Sequence, residues 1–256
     1  MCKGQAVIEL SIEPPAAVAT MRRPPVNAIN EAWVEDLNRV VDEVEGHNGV
    51  SVLHIRSAQK VFCAGADLGM VRELLQASAG RDTMISVTRS FQAVFSRLEK
   101  SPLVTVAEIG GAAMGGGLEL ALACDFRVAG ETVELGLPEA RLGLLPAAGG
   151  TQRMSRVCGD AVARRLILGA EVIDGREALR LGLVQWAVPM DALAAWTRDL
   201  VDRLGTLSSS AIAACKRCIG AFLDGSVDGF ERELIESRHL LDEAETRRRV
   251  LAFLEG

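Results

Sequence analysis

Apolar and polar residues alternate from Val7 to Ile12, and a second apolar stretch, Ala16 to Met21, follows the Pro14-Pro15 pair, so the chain is expected to open with a β-hairpin. Two further prolines in Arg22-Arg23-Pro24-Pro25-Val26-Asn27-Ala28 remove donors and fix φ, which makes this segment a loop. Asn30 is placed to cap a helix from Glu31 to Gly46, with Trp33, Leu37, Val40, Val41 and Val44 on one face. Val50 to Arg56 reads as the next strand. Apolar residues at Met84, Val87, Phe91, Val94, Phe95 and Leu98 give a helix over Arg81 to Lys100. Leu103 to Ala107 is β-branched and apolar without helical period, which marks a buried strand.

Beyond that strand the small residues concentrate. Gly115-Gly116-Gly117 removes three β-carbons where a strand hands over to the apolar helix of Leu118, Leu120, Ala121 and Leu122. Close backbone approach and free N–H groups at a helix start describe an anion or oxyanion site in outline. Val61 to Leu68 (VFCAGADL) forms a second turn of the same kind, with Asp67 placed to cap the segment after it. Glu119 stands in the first turn of the apolar helix, where an ionised group is costly unless paired or used. Glu139, twenty residues on, also has apolar neighbours. Two carboxylates in such settings beside a glycine-built donor point to acid/base chemistry on a carbonyl compound. The bland reading of Glu119 is a helix-start carboxylate favoured by the dipole, and that of Glu139 a buried ion pair with Arg141 or Arg153.

Phe126 to Ala129 is a strand, Gly149-Gly150 precedes a helix from about Thr151, and Asp174-Gly175-Arg176-Glu177 has capping-box spacing before a short helix, Glu177 to Leu181. Leu183 to Val188 is the last strand. Three amphipathic helices come after it: Asp191 to Leu204, Ser208 to Leu223 and Phe230 to Leu254. The expected organisation is a β/α catalytic part over residues 1–190 and a helical assembly unit over 191–256.

Composition narrows the possibilities. A 256-residue chain with 49% hydrophobic and 24% charged residues can bury a large core. Its net charge of −6 lacks the basic footprint of a nucleic-acid binder. No run of eighteen apolar residues and no signal- or transit-peptide pattern is present, so a cytoplasmic protein without a membrane span is expected. Six scattered cysteines fit reduced thiols, and Cys215-Lys216-Arg217-Cys218 is a lone C-x-x-C without a nearby histidine, so no metal site is expected. His47, His54 and His239 lie outside every motif, and no serine stands among the three glycines, which argues against a Ser-His-Asp hydrolase.

Taken in order, RRPPVNAI, VFCAGADL at 61, GGG-x-E at 115, LPEARLGLLPAAGGTQR at 137 and the weaker IDGREALRLGLV at 173 resemble the enoyl-CoA hydratase/isomerase (crotonase) superfamily over most of the chain. The resemblance implies an α/β fold, a spiral of ββα units with a helical C-terminal trimerisation region, and a homotrimer or homohexamer. It implies an oxyanion hole from the backbone N–H groups of Ala66 and Gly116, and a water held between Glu119 and Glu139. It places CoA on backbone at Val26, Ala28, Ala64, Gly65, Ala66, Asp67 and Leu68, with Gly116 facing the thioester and Arg22, Arg23 or Lys60 helping with phosphates.

The activity so implied is hydration of a 2-enoyl-CoA to a 3-hydroxyacyl-CoA, with no cofactor beyond the CoA of the acyl-CoA thioester substrate. The alternatives are a 3,2-enoyl-CoA isomerase and a non-catalytic acyl-CoA-binding protein. Three departures from the family pattern stand out. Ala147 replaces a common glycine and is strained if φ is positive there. Leu135 replaces a common phenylalanine, and Arg248-Arg249 precede Ala252-Phe253 where an acidic residue and a glycine are usual.

Overall fold

The computed structural model describes residues 6–255. Strands β1 (Ile8–Glu13) and β2 (Ala16–Met21) form the expected antiparallel hairpin, with Ile8 opposite Met21. Helix α1 (Glu31–Glu45) starts where Asn30 accepts a hydrogen bond from the Trp33 N–H. Strand β3 (Val52–Ser57) comes next, and then the turn whose Asp67 side chain caps α2 (Leu68–Gln76) by accepting from the Gly69 and Met70 N–H groups. Helix α3 (Gly80–Lys100) returns the chain to β4 (Val104–Ile109). A two-residue strand, β5 (Ala113–Met114), leads into α4 (Gly116–Leu122), the helix that carries Glu119.

Strand β6 (Phe126–Gly130) is followed by β7 (Glu134–Gly136) and by a single 3-10 turn, Glu139–Leu142. Helices α5 (Gly150–Cys158) and α6 (Asp160–Leu168), strand β8 (Val172–Asp174), helix α7 (Gly175–Arg180) and strand β9 (Trp186–Val188) come next. The expected Leu183–Val188 strand is therefore shorter: Gly182 turns with φ 76°, and Leu183 and Val184 pack into the core before pairing begins. Four helices end the chain: α8 (Leu193–Gly205), α9 (Ser209–Ala221), α10 (Gly229–Asp242) and α11 (Ala244–Glu255). The single helix expected over Phe230–Leu254 breaks at Glu243, whose backbone is extended at φ −81°, ψ 134°.

The main sheet runs β1-β2-β3-β4-β6-β9, parallel throughout except for the hairpin pair. Both of its faces are covered, so its inner strands bury nearly every side chain, His54, Thr105 and Arg127 included. One face receives α1 and α3, where Trp33 meets Phe95 edge-on at 6.5 Å between ring centroids. The other carries Val52, Val104, Val106 and Val128, packed against Leu193, Leu200, Val201 and Leu204 of α8. A second sheet, β5-β7-β8, stands apart from the first. It brings the start of α4 and the Glu139 turn together.

Candidate active site

The two small-residue turns pack backbone to backbone. A β-carbon on Gly65 would lie 2.9 Å from the Met114 carbonyl oxygen and 3.2 Å from the Gly116 nitrogen, and one on Gly117 would overlap the Cys63 carbonyl. Gly65 also takes φ 95°, a conformation costly for any residue with a side chain. These contacts explain the glycines at both places. The point where a side chain on Gly116 would begin is 3.6 Å from the Ala66 nitrogen, so the Ala66 and Gly116 N–H groups are neighbours. Among the described residues neither finds a hydrogen-bond acceptor, although the amides around them are paired: Asp67 N–H donates to Ile29 O, and Gly115 N–H donates to Gly136 O, both at 2.9 Å. Gly116 opens α4, so its N–H belongs to the unpaired first turn of a helix.

The loop of Val26 to Ala28 is laced to the Ala64–Asp67 turn. Ala64 N–H donates to Val26 O at 3.0 Å, and Ile29 N–H to Gly65 O at 2.8 Å. Asn27, which the sequence pattern alone did not single out, organises this join. It is fully buried with φ 51°, and its amide donates to Ser57 Oγ at 2.8 Å and to Phe62 O at 3.0 Å. Asparagine tolerates the left-handed region better than other residues with a β-carbon, and that was the available signal. Arg23 is committed inside the protein: it pairs with Asp67 at 2.6 Å and donates to Ala28 O at 2.8 Å. The Arg23 hydrogen bond holds the Asp67 carboxyl below the usual range. Arg22 pairs with Glu9, whereas Lys60 is exposed and Leu68 begins α2 at the surface.

Glu119 is 3% exposed, and its Oε1 accepts the Gly150 N–H at 2.7 Å. Burial pushes its pKa up to about 7, the charge of nearby Glu139 adds to the rise, and the Gly150 and Ala148 N–H groups and Arg153 oppose it. Glu139 lies on the 3-10 turn, with Oε1 against the α-carbon side of Gly115 and with Oε2 buried and without a hydrogen-bond partner among the described residues. Burial raises its pKa too. The ion-pair reading of Glu139 does not hold, because Arg141 donates to Ala170 O at 2.6 Å and Arg153 pairs with Glu99 at 2.9 Å. Ala147 is free of the anticipated strain, since the positive φ of this turn, 108°, falls on Gly149. The arrangement offers two carboxyls of raised proton affinity and a neighbouring pair of free N–H donors.

Residues 12–256 match the family model described as enoyl-CoA hydratase/isomerase. The chain belongs to this family. Relatives of the enoyl-CoA hydratase/isomerase family include a probable enoyl-CoA hydratase of Bacillus subtilis, 41% identical over 177 residues, a match covering 69% of this chain and 67% of that one. A short-chain-enoyl-CoA hydratase of Clostridium acetobutylicum is 34% identical over 229 residues, covering 88% of this chain and 86% of its own. Among solved structures, an enoyl-CoA hydratase from Bacillus anthracis superposes with a TM-score of 0.89 at 28% identity, covering 97% of this chain and 96% of that one. The fold is the crotonase fold of the enoyl-CoA hydratases, α/β with a helical C-terminal region.

Proposed function

We propose that the protein is an enoyl-CoA hydratase that adds water across the 2,3-double bond of a 2-enoyl-CoA to give the 3-hydroxyacyl-CoA. The observation that carries this reading is the meeting of two carboxyls with raised pKa, Glu119 and Glu139, beside the unpaired N–H groups of Ala66 and Gly116. In the proposed reaction the thioester oxygen rests against those two N–H groups. As the water oxygen bonds to C3, the π electrons move toward C1 and enolate charge builds on that oxygen, where two preorganised donors are worth a few kcal/mol each. The Glu119 carboxylate orients the water and accepts its proton, while Glu139 delivers a proton to C2. Burial raises the proton affinity of both carboxyls, and the Glu139 charge adds to the rise at Glu119, which suits an exchange of protons with water and C2. The chemistry is acid/base throughout and uses no resident cofactor.

The loop around Val26 and Ala28, with Ala64 to Leu68, is the proposed seat of the CoA moiety, with Lys60, exposed and without an ion pair among the described residues, as the cation for its phosphates. We assign catalysis to residues 1–190 and assembly, as a homotrimer or homohexamer, to 191–256. Large apolar residues stand exposed along the last three helices, Phe222 just after α9, Phe230 on α10 and Phe253 on α11 among them, and exposed apolar surface of this kind is what subunit contacts cover. A cytoplasmic location goes with this reading, and among the described residues no helix is long and apolar enough to cross a membrane.

The test measures loss of the conjugated enoyl-thioester absorbance with crotonyl-CoA and a longer 2-enoyl-CoA, in the wild type and in Glu119→Gln and Glu139→Gln variants. Rapid loss that falls by about a hundredfold or more in each variant supports the hydratase. Absorbance gained from a 3-enoyl-CoA, without hydration, would replace it with an isomerase. Binding of CoA without turnover in either direction would leave a binding protein.

A further inference from the structure

Three consecutive peptide units between Ala147 and Gly150 are each gripped by their carbonyl oxygen. Gln92 Nε2, on α3, donates to Ala147 O at 2.6 Å. Arg153 Nη1 donates to Ala148 O at 2.9 Å, and the Arg153 main-chain N–H donates to Gly149 O at 2.9 Å. A trans peptide is planar, so fixing its C=O fixes the N–H on the opposite side of the same unit. The Gly150 N–H donates to Glu119 Oε1 at 2.7 Å and the Ala148 N–H also favours the carboxylate, while the Arg153 side chain holds the Ala148–Gly149 unit that lies between those two.

Arg153 is built into the turn. Its residue is 4% exposed, and its guanidinium takes Glu99 Oε2 at 2.9 and 3.1 Å and Ser96 Oγ at 3.3 Å. A β-carbon on Gly149 would overlap Arg153 Nη1, so the guanidinium lies directly on the turn's backbone. Helix α3 and helix α5 are thereby locked across the loop that holds the candidate catalytic carboxylate.

We propose that Arg153, assisted by Gln92, is a positioning residue for Glu119, holding the Ala147–Gly150 turn so that its amides present the carboxylate beside Glu139. The kinetic consequence rests on the hydratase reading, whereas the placement of Glu119 does not. Arg153 also lies near enough for its charge to favour the ionised form of Glu119. Arginine is required over lysine because the contacts to Ala148, Ser96 and Glu99 use the fork of the guanidinium.

The experiment compares Arg153→Gln, Arg153→Lys, Gln92→Ala and the control Arg156→Gln, which loses a 3.3 Å contact to Glu99 while its side chain makes no hydrogen bond to the turn among the described residues. Two readouts are taken on each full-length protein: the pH profile of kcat/KM with crotonyl-CoA, and an infrared titration of the Glu119 carboxyl band, identified by its loss in Glu119→Gln. Arg153→Gln is expected to lower kcat by about 10- to 100-fold with KM within about threefold. Its acid limb and its Glu119 band should both move to higher pH. Arg153→Lys should keep the band near its wild-type midpoint while kcat stays depressed, and Gln92→Ala should lower kcat by a few-fold.

A titration and profile in Arg153→Gln that coincide with those of Arg156→Gln would overturn the proposal, as would full recovery of kcat by lysine. If Arg153→Gln does not fold, the lysine and Gln92→Ala variants decide. If the wild type hydrates no enoyl-CoA, the hydratase reading fails by itself, and the infrared titration still decides whether Arg153 governs Glu119.

Discussion

Glu139 Oε1 lies 2.9 Å from the point at which a side chain on Gly115 would begin. Gly115 also adopts φ 52°, ψ −126°, a region closed to residues with a β-carbon. A Gly115→Ala substitution therefore attacks the site twice, by pushing the carboxyl away and by straining the start of α4. Turnover should fall by about a hundredfold or more, because a displacement near 1 Å is enough for that loss. Steady-state kinetics beside a thermal melt would check it, and near-normal activity would remove Glu139 from its place over Gly115.

The raised proton affinity of Glu119 has a consequence for stability. With its pKa at about 7, the folded state holds a proton that the unfolded chain releases near the ordinary glutamate value of about 4.3. The resulting stabilisation is complete below that lower value and is lost as pH rises through 7. Glutamine cannot ionise. In urea titrations Glu119→Gln should gain on the wild type between pH 4 and 8, by up to about 3 kcal/mol. A difference between the two proteins that stays constant with pH would show that Glu119 titrates normally.

Much of the fold was legible in the chain because the main elements bury residues at a regular period. The hairpin, α1, α3, β3 and β4 fall within a few residues of their expected ends. Both glycine turns and both glutamates stood out because glycine clusters and carboxylates are anomalous among apolar neighbours. Strands β5, β7 and β8 were not legible, since two or three residues carry no period and form only because a distant partner is present. Helix α2 buries no residue fully, which leaves its pattern weak. The hold of Gly150 on Glu119 spans 31 positions and depends on Arg153 and Gln92 gripping the turn, which no local spacing encodes.

Arg127 shows another feature hidden from local pattern. It is 3% exposed on β6 and makes no ion pair among the described residues. Its Nε donates to Leu183 O at 2.8 Å and its Nη1 to Cys124 O at 2.7 Å, joining the segment after α4 to the approach to β9. Burial lowers its pKa. Arg127→Met should cost about 2 to 4 kcal/mol by stranding both carbonyls, as measured by chemical denaturation. A loss under about 1 kcal/mol would mean that the cost of burying the guanidinium cancels its hydrogen bonds.

The exposed aromatic residues of the last helices should report on assembly. Phe222 is 88% and Phe230 83% exposed in the single chain. Replacing both with serine should turn a trimeric or hexameric species into a smaller one by sedimentation velocity, without loss of helical signal. A wild-type protein that sediments as a monomer would dispose of the assembly role given to residues 191–256.

Glu119 lies just after β5 and Glu139 just after β7, and the ladder between those strands is two residue pairs long, Ala113 with Leu135 and Met114 with Gly136. Neither strand belongs to the six-stranded sheet. The meeting of the two carboxyls therefore hangs on two residue pairs, although Ala113, Leu135 and Ile173 of this small sheet bury their side chains in the same core as the main sheet. Native-state amide exchange should register this as an opening at Gly115, whose N–H closes the short ladder on Gly136, well below the free energy that exposes Ile55 or Val106. Loss of activity on mild denaturation would then precede loss of the fold.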